Sequence, residues 1–235
     1  MRRLTCLLFP LVLAACGADI LRVQTATEWT QDSPDYQVEA QAFREISRAV
    51  SKEARAECLR QAKVRNCDFT ILVDLNPRAP ANAFQTLDDK DQPVIIFTLA
   101  MIKSAENEDE LAFVMGHEAA HHVLGHIDRQ SQSAKEGAVI FGDLGKLHGE
   151  SGKELERSQK LGAEVGVQVN VKDFELEADQ LGTIITHNAG YNPLIGAKYF
   201  NRLSDPKDQF LGTHPPNARR VQIVLETAKQ LGLTQ

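Results

Sequence analysis

The sequence predicts an α+β fold: a mainly helical domain with a small three- or four-stranded sheet beside one long, histidine-bearing helix. Most of the chain places apolar residues at helical steps, beginning with Val38, Phe43, Ile46, Val50, Ala54 and Leu59. Only residues 68–98 hold short β-branched runs bounded by turn residues. At 235 residues, 43% hydrophobic and 25% charged, the chain is long and apolar enough for one domain with a sizeable core. Its net charge of −6, with no Lys/Arg stripe, speaks against a nucleic-acid partner.

The elements follow in order. Tyr36–Ala62 has the pattern of a first helix. Asp68–Leu75 (DFTILVDL) and Asn82–Leu87 (NAFQTL) have the pattern of strands. Asp88–Gln92 is a turn and Pro93–Thr98 (PVIIFT) a third strand, together suggesting a meander. Asn107 is placed to cap a helix running to His126, with Glu108, Asp109 and Glu110 in its electropositive first turn. Residues 130–170 are glycine-rich and read as a helix pair or a mobile loop covering the site. Asp173–Asn188 is helical, Ala189–Pro193 ends it, and Leu194–Leu203 and Ala218–Leu231 are further helices.

The first residues have a separate character. Arg2 and Arg3 precede an apolar run, Leu4–Ala15, too short to span a bilayer but suited to a signal peptide. The run ends in LAAC, which resembles the bacterial lipobox. That resemblance implies cleavage after residue 15 and lipid on Cys16. The expected layout is therefore residues 1–15 as a lipoprotein signal, 16–35 as a lipid-anchored tether, and 36–235 as the folded domain. Gly17, where retained inner-membrane lipoproteins often carry Asp, directs the expectation to the periplasmic side of a Gram-negative outer membrane. In that oxidising compartment Cys58 and Cys67, nine residues apart, are expected to form a disulfide.

The chemistry centres on FVMGHEAAHHVLGH, Phe113–His126. His117 and His121 are four apart, so both imidazoles reach one side of a helix. With Glu118 they make H-E-x-x-H, in which two histidines hold zinc and the glutamate is the general base. Leu124 and Ile127 stand where a metzincin needs Gly and His, and no glutamate lies where a thermolysin-like site needs one. On a continuous helix His122 and His126 fall away from the ligand side and read as packing or surface residues. A third ligand is sought in ELEAD, where Glu175 and Asp179 share one face and Glu177 points away. One of the pair can ligate while the other accepts a hydrogen bond from a histidine ligand.

These motifs together resemble the HtpX and CAAX-prenyl-protease type of gluzincin metallopeptidase over roughly residues 36–230, in its small periplasmic lipoprotein branch. The resemblance implies a zincin-type fold and one Zn²⁺ per chain, held by His117, His121 and Glu175. Asp179 would orient a ligand histidine and Glu118 would move the proton. NAF resembles the family's edge strand, so Asn82, Ala83 and Phe84 are expected to pair with substrate backbone. AGYNP resembles the family's G-Y-D-P turn. Thr213–Arg220 resembles its T-H-P-x-x-x-x-R segment and implies site roles for His214 and Arg220. His214 would either stabilise the oxyanion or occupy the open zinc position at rest. The implied activity is zinc-dependent endoproteolysis of extended, misfolded or misassembled envelope proteins. A second reading is a lipoprotein chaperone or assembly factor with a gated, rarely used peptidase site. Oligomeric state is not encoded legibly.

Overall fold

The computed structural model describes residues 23–26, 34–61, 66–204 and 215–233. Cys16 and His214 lie outside the described residues, as does most of the expected signal and tether. Val23–Thr25 is described and forms a strand, β1, so the stretch expected as a tether contributes to the sheet.

Helix α1 (Pro34–Gln61) is followed by strands β2 (Thr70–Asp74), β3 (Ala83–Leu87) and β4 (Pro93–Thr98). The α+β expectation holds, but the meander does not. The sheet order is β1-β2-β4-β3, with β2 and β4 parallel and the other pairings antiparallel. The burial pattern gives the reason. All six residues of β4 are buried, so this strand takes the centre, whereas β3 is half exposed along its length and takes the edge. After β2 the chain crosses to the far edge, lays down β3, and returns through Asp88–Gln92, where Asp88 Oδ1 accepts the N–H groups of Lys90 and Gln92.

Phe43, Ile46, Val50 and Ala54 of α1 are buried, and Phe43 meets Phe97 of β4 edge to face at 5.2 Å. Cys58 and Cys67 are disulfide-bonded with Cα atoms 5.7 Å apart, tying the end of α1 to the segment before β2.

A short helix α2 (Leu99–Ser104), capped by Thr98, leads to α3 (Glu108–Val123), whose Asn107 cap accepts the Glu110 N–H. α3 is shorter than the sequence pattern suggests. Gly125 adopts φ 66°, ψ 35°, and a new helix, α4 (His126–Leu147), starts immediately after it. α5 (Gly152–Val169) folds back on α4, so the glycine-rich stretch is a helix pair. Its backbones approach so closely that a Cβ on Gly137 would fall 2.0 Å from the Gly162 carbonyl oxygen.

α6 (Val171–Asn188) crosses α3. A Cβ on Gly182 would lie 2.9 Å from His117 N and Cα, and one on Gly116 would lie 2.7 Å from Thr186 Oγ1. These two glycines let the helices meet backbone to backbone. The expected helix from Leu194 to Leu203 is two pieces, α7 (Pro193–Gly196) and a 3-10 turn (Ala197–Arg202). α8 (Asn217–Gln230) closes the described chain, packing Val224 with Phe113, Ala197 and Phe200. Among the described residues no helix is long and apolar enough to cross a membrane.

Candidate metal centre

His117 and His121 are one turn apart on α3, and α6 delivers Glu175 opposite them. His117 Nε2 and His121 Nε2 are 3.1 Å apart. Glu175 Oε2 is 3.6 Å from the first and its Oε1 is 3.4 Å from the second. Ligands about 2.0–2.1 Å from a tetrahedral zinc ion sit roughly 3.3 Å from one another. The three groups therefore have the separations, and the N/N/O chemistry, of a site that could hold such an ion, and they form the one such group among the described residues.

The His117 side is braced from behind. Asp179, buried on the same face of α6 as Glu175, lies with Oδ1 2.9 Å from His117 Nδ1. Arg220 of α8 donates Nε–H to Asp179 Oδ2 and Nη2–H to Oδ1, both at 2.7 Å. Arg220 is itself buried, its guanidinium 4.0 Å from the Phe200 ring centroid. Burial alone would raise the Asp179 pKa, but Arg220 and His117 outweigh it and hold the carboxyl below its ordinary value. Burial likewise opposes a charge on His117, yet its hydrogen bonds to Asp179 and Glu175 prevail and push it up to about 10.

Glu118 lines a cleft of about 400 Å³ together with His117, His121, Glu175 and Arg220. Burial raises its pKa above the ordinary carboxylate value, against the pull of His117 and His121. Asn82, Ala83 and Phe84 line the same cleft. β3 pairs only with β4, so no other described strand occupies its outer edge. The edge is anchored where Asn82 N–H donates to Thr98 Oγ1 and Thr98 N–H donates to the Asn82 carbonyl, each at 3.0 Å.

Residues 40–228 match peptidase family M48. The chain belongs to peptidase family M48. This is a family of zinc metallopeptidases. The M48 chain is 27% identical over 165 residues to the mitochondrial metalloendopeptidase OMA1 of Saccharomyces cerevisiae, covering 66% of this chain and 45% of that protein. It is 24% identical to the beta-barrel assembly-enhancing protease of Yersinia pestis and 23% identical to that of Escherichia coli. Each of those matches spans 150 residues, 58% of this chain and 31% of the relative. The chain thus spans less than half the length of these curated relatives.

In this M48 domain the histidine set aside by helix geometry is not a surface residue. His126 is buried, and its Nδ1 lies 2.8 Å from His121 Nδ1. The break at Gly125 turns the chain, so the angular count from His117 fails one residue before His126. His126 Nε2 is 3.1 Å from Glu177 Oε2, and Glu177 also accepts from both Nη groups of Arg129, Nη2 at 3.1 Å. Burial and the neighbouring His121 pull the His126 pKa down to about 4, against Glu177. Glu177 thus points away from the Glu175–Asp179 face, toward His126 and Arg129. The signal for this arm was present as a glycine directly after the apolar run, at a usual helix-ending position. His122 is a packing residue: buried, edge-on to Phe69, with Nε2 2.6 Å from the Asn66 carbonyl oxygen.

Proposed function

We propose that the chain is a zinc-dependent endopeptidase that hydrolyses extended segments of misfolded or misassembled envelope proteins. The observation that carries this reading is the 3.1–3.6 Å convergence of His117, His121 and Glu175 at the floor of a cleft walled by a strand edge on which no other described strand pairs. One Zn²⁺ would be held by those three residues; when bound it supplies Lewis acidity toward a water molecule and a peptide carbonyl.

The chain's own residues do the rest. Glu118 takes a proton from the attacking water and returns it to the leaving amine, a task suited to a carboxylate whose pKa burial raises above its ordinary value. Asp179 accepts from His117 and fixes its tautomer, and Arg220 acts as a positioning residue by clamping Asp179. Asn82 spends its backbone groups on Thr98, so within Asn82–Phe84 it is Ala83 whose backbone groups face the outer edge and would meet an added strand, which selects unfolded over folded substrate. His214, which precedes α8 in the sequence, would contribute as oxyanion donor or as resting occupant of the open position.

The lipobox-like LAAC supports a periplasmic domain anchored through Cys16 to the outer membrane. Two of the relatives are named for enhancing β-barrel assembly. An unassembled barrel presents the extended strands that a free edge takes up, and such proteins are the substrates proposed here.

The test uses Glu118→Gln. It should keep its zinc while losing at least about a hundredfold in cleavage of an unfolded protein such as casein. Full activity would remove Glu118 from the chemistry. Return of envelope function by the same variant in a deletion strain would instead favour the assembly-factor reading.

A further inference from the structure

A histidine that ligates a metal through Nε2 carries its proton on Nδ1, and that proton needs an acceptor. For His117 the acceptor is Asp179 Oδ1, at 2.9 Å. For His121, among the described residues, the ring neighbour at Nδ1 is another imidazole nitrogen, His126 Nδ1 at 2.8 Å. Two nitrogens at that distance share one proton. With His121 supplying it, His126 Nδ1 is bare, its own proton sits on Nε2, and that group donates to Glu177 Oε2 at 3.1 Å.

We propose that His126 is a positioning residue that couples the metal ligand His121 to the Glu177–Arg129 pair. The inference rests on the reading of His117, His121 and Glu175 as the metal site. The geometry makes the two sides of that site equivalent in plan. Each ligand histidine is backed by a carboxylate of α6, and each carboxylate is gripped by an arginine: Asp179 by Arg220, Glu177 by Arg129. On the His121 side an imidazole is interposed. Its ring is held in place by stacking on Phe174, with centroids 4.5 Å apart and planes 13° from parallel. Arg129 lies over the same Phe174 ring, 4.3 Å from its centroid. His126 and Arg129 are in the first turn of α4, so the base of the α4–α5 hairpin is part of what holds His121.

The chemistry of the side chain allows a clean test. Asn places its Oδ1 where His places Nδ1, so His126→Asn keeps an acceptor for His121 but cannot reach Glu177. His126→Leu removes both. Zinc affinity is measured by chelator competition on the full domain, with His121→Ala as a control and the melting of each metal-free variant followed to establish folding. The expected result is a loss of about 10–100-fold for His126→Leu and a smaller loss for His126→Asn. Wild-type zinc affinity in a folded His126→Leu protein would overturn the coupling. Should that variant not fold, nitrogen NMR of the zinc-loaded wild type decides: a proton on His126 Nε2 supports the proposal and a proton on Nδ1 sinks it. Failure of the metal-site reading is distinct, because His121→Ala would then bind zinc as tightly as the wild type.

Discussion

Asp179 has no exposed surface and no water to stabilise its charge, so its partners set its behaviour. It accepts two hydrogen bonds from Arg220 and one from His117, and the three residues act as a unit. Removing one member leaves a buried charge unpaired. Arg220→Ala is therefore expected to lower unfolding stability by about 3–5 kcal/mol. Arg220→Lys should recover only part of this, because an ammonium cannot make the two parallel bonds of a guanidinium. Asp179→Asn removes the charge yet keeps an oxygen for His117. It also leaves the buried Arg220 guanidinium without its carboxylate, so it should cost stability as Arg220→Ala does and, in addition, lower zinc affinity by about 10–100-fold. Chemical denaturation of metal-free protein, paired with chelator competition, separates the two effects. A stability loss under about 1 kcal/mol for Arg220→Ala would mean that water reaches Asp179, contrary to its burial.

At the scale of elements, the site exists because α3 and α6 cross with almost nothing between them. Gly116 and Gly182 face the opposite backbone, and a methyl group at Gly182 would sit 2.9 Å from the His117 backbone. Backbone cannot yield as a side chain would, so Gly182→Ala should push the two helices apart at the level of the ligands. The expected result is a loss of about 1–3 kcal/mol in stability and a weaker zinc site, since Glu175 lies two turns before Gly182 on the displaced helix. Ala at neighbouring Thr183, whose hydroxyl is satisfied within its own helix by the Asp179 carbonyl, serves as a comparison that removes atoms without adding any at the crossing. If Gly182→Ala binds zinc as the wild type does, the crossing tolerates more separation than its contacts imply. A second brace holds the entry of α3. Glu110, buried in its first turn, takes the guanidinium of Arg202, with Nη1 2.7 Å from Oε1.

For the molecule as a whole, what was legible in the sequence was what a single helix can encode. His117, Glu118 and His121 carry their geometry in their spacing, as do Glu175 and Asp179, and the Cys58–Cys67 disulfide followed from proximity and an expected oxidising compartment. What was not legible depends on contacts between elements. The place of β4 between β2 and β3 follows from burial on both its faces, which a short apolar run does not distinguish from an edge strand. That His126 packs against His121 was not legible because one left-handed glycine invalidates an angular count made on a continuous helix. The same division bears on stability. The three candidate ligands join α3 to α6, so an ion there staples elements that contact each other directly, and zinc at about a thousandfold above its dissociation constant should add roughly 4 kcal/mol. That gain depends on pH with a definite sign. Without metal, His117 has a folded pKa of about 10 against an ordinary value of 6.5. Its proton therefore stabilises the metal-free fold fully below about pH 6.5, and that contribution declines as pH rises toward 10. Metal binding requires the ring without that proton, so zinc competes with it most severely at low pH. The melting temperature of chelator-treated protein should thus fall between pH 6.5 and 9, while the gap to zinc-loaded protein widens over the same range. His117→Ala should abolish both trends. A gap that stays constant or narrows as pH rises would show that His117 is neutral in the metal-free fold, and that Asp179 and Glu175 do not hold a proton on it.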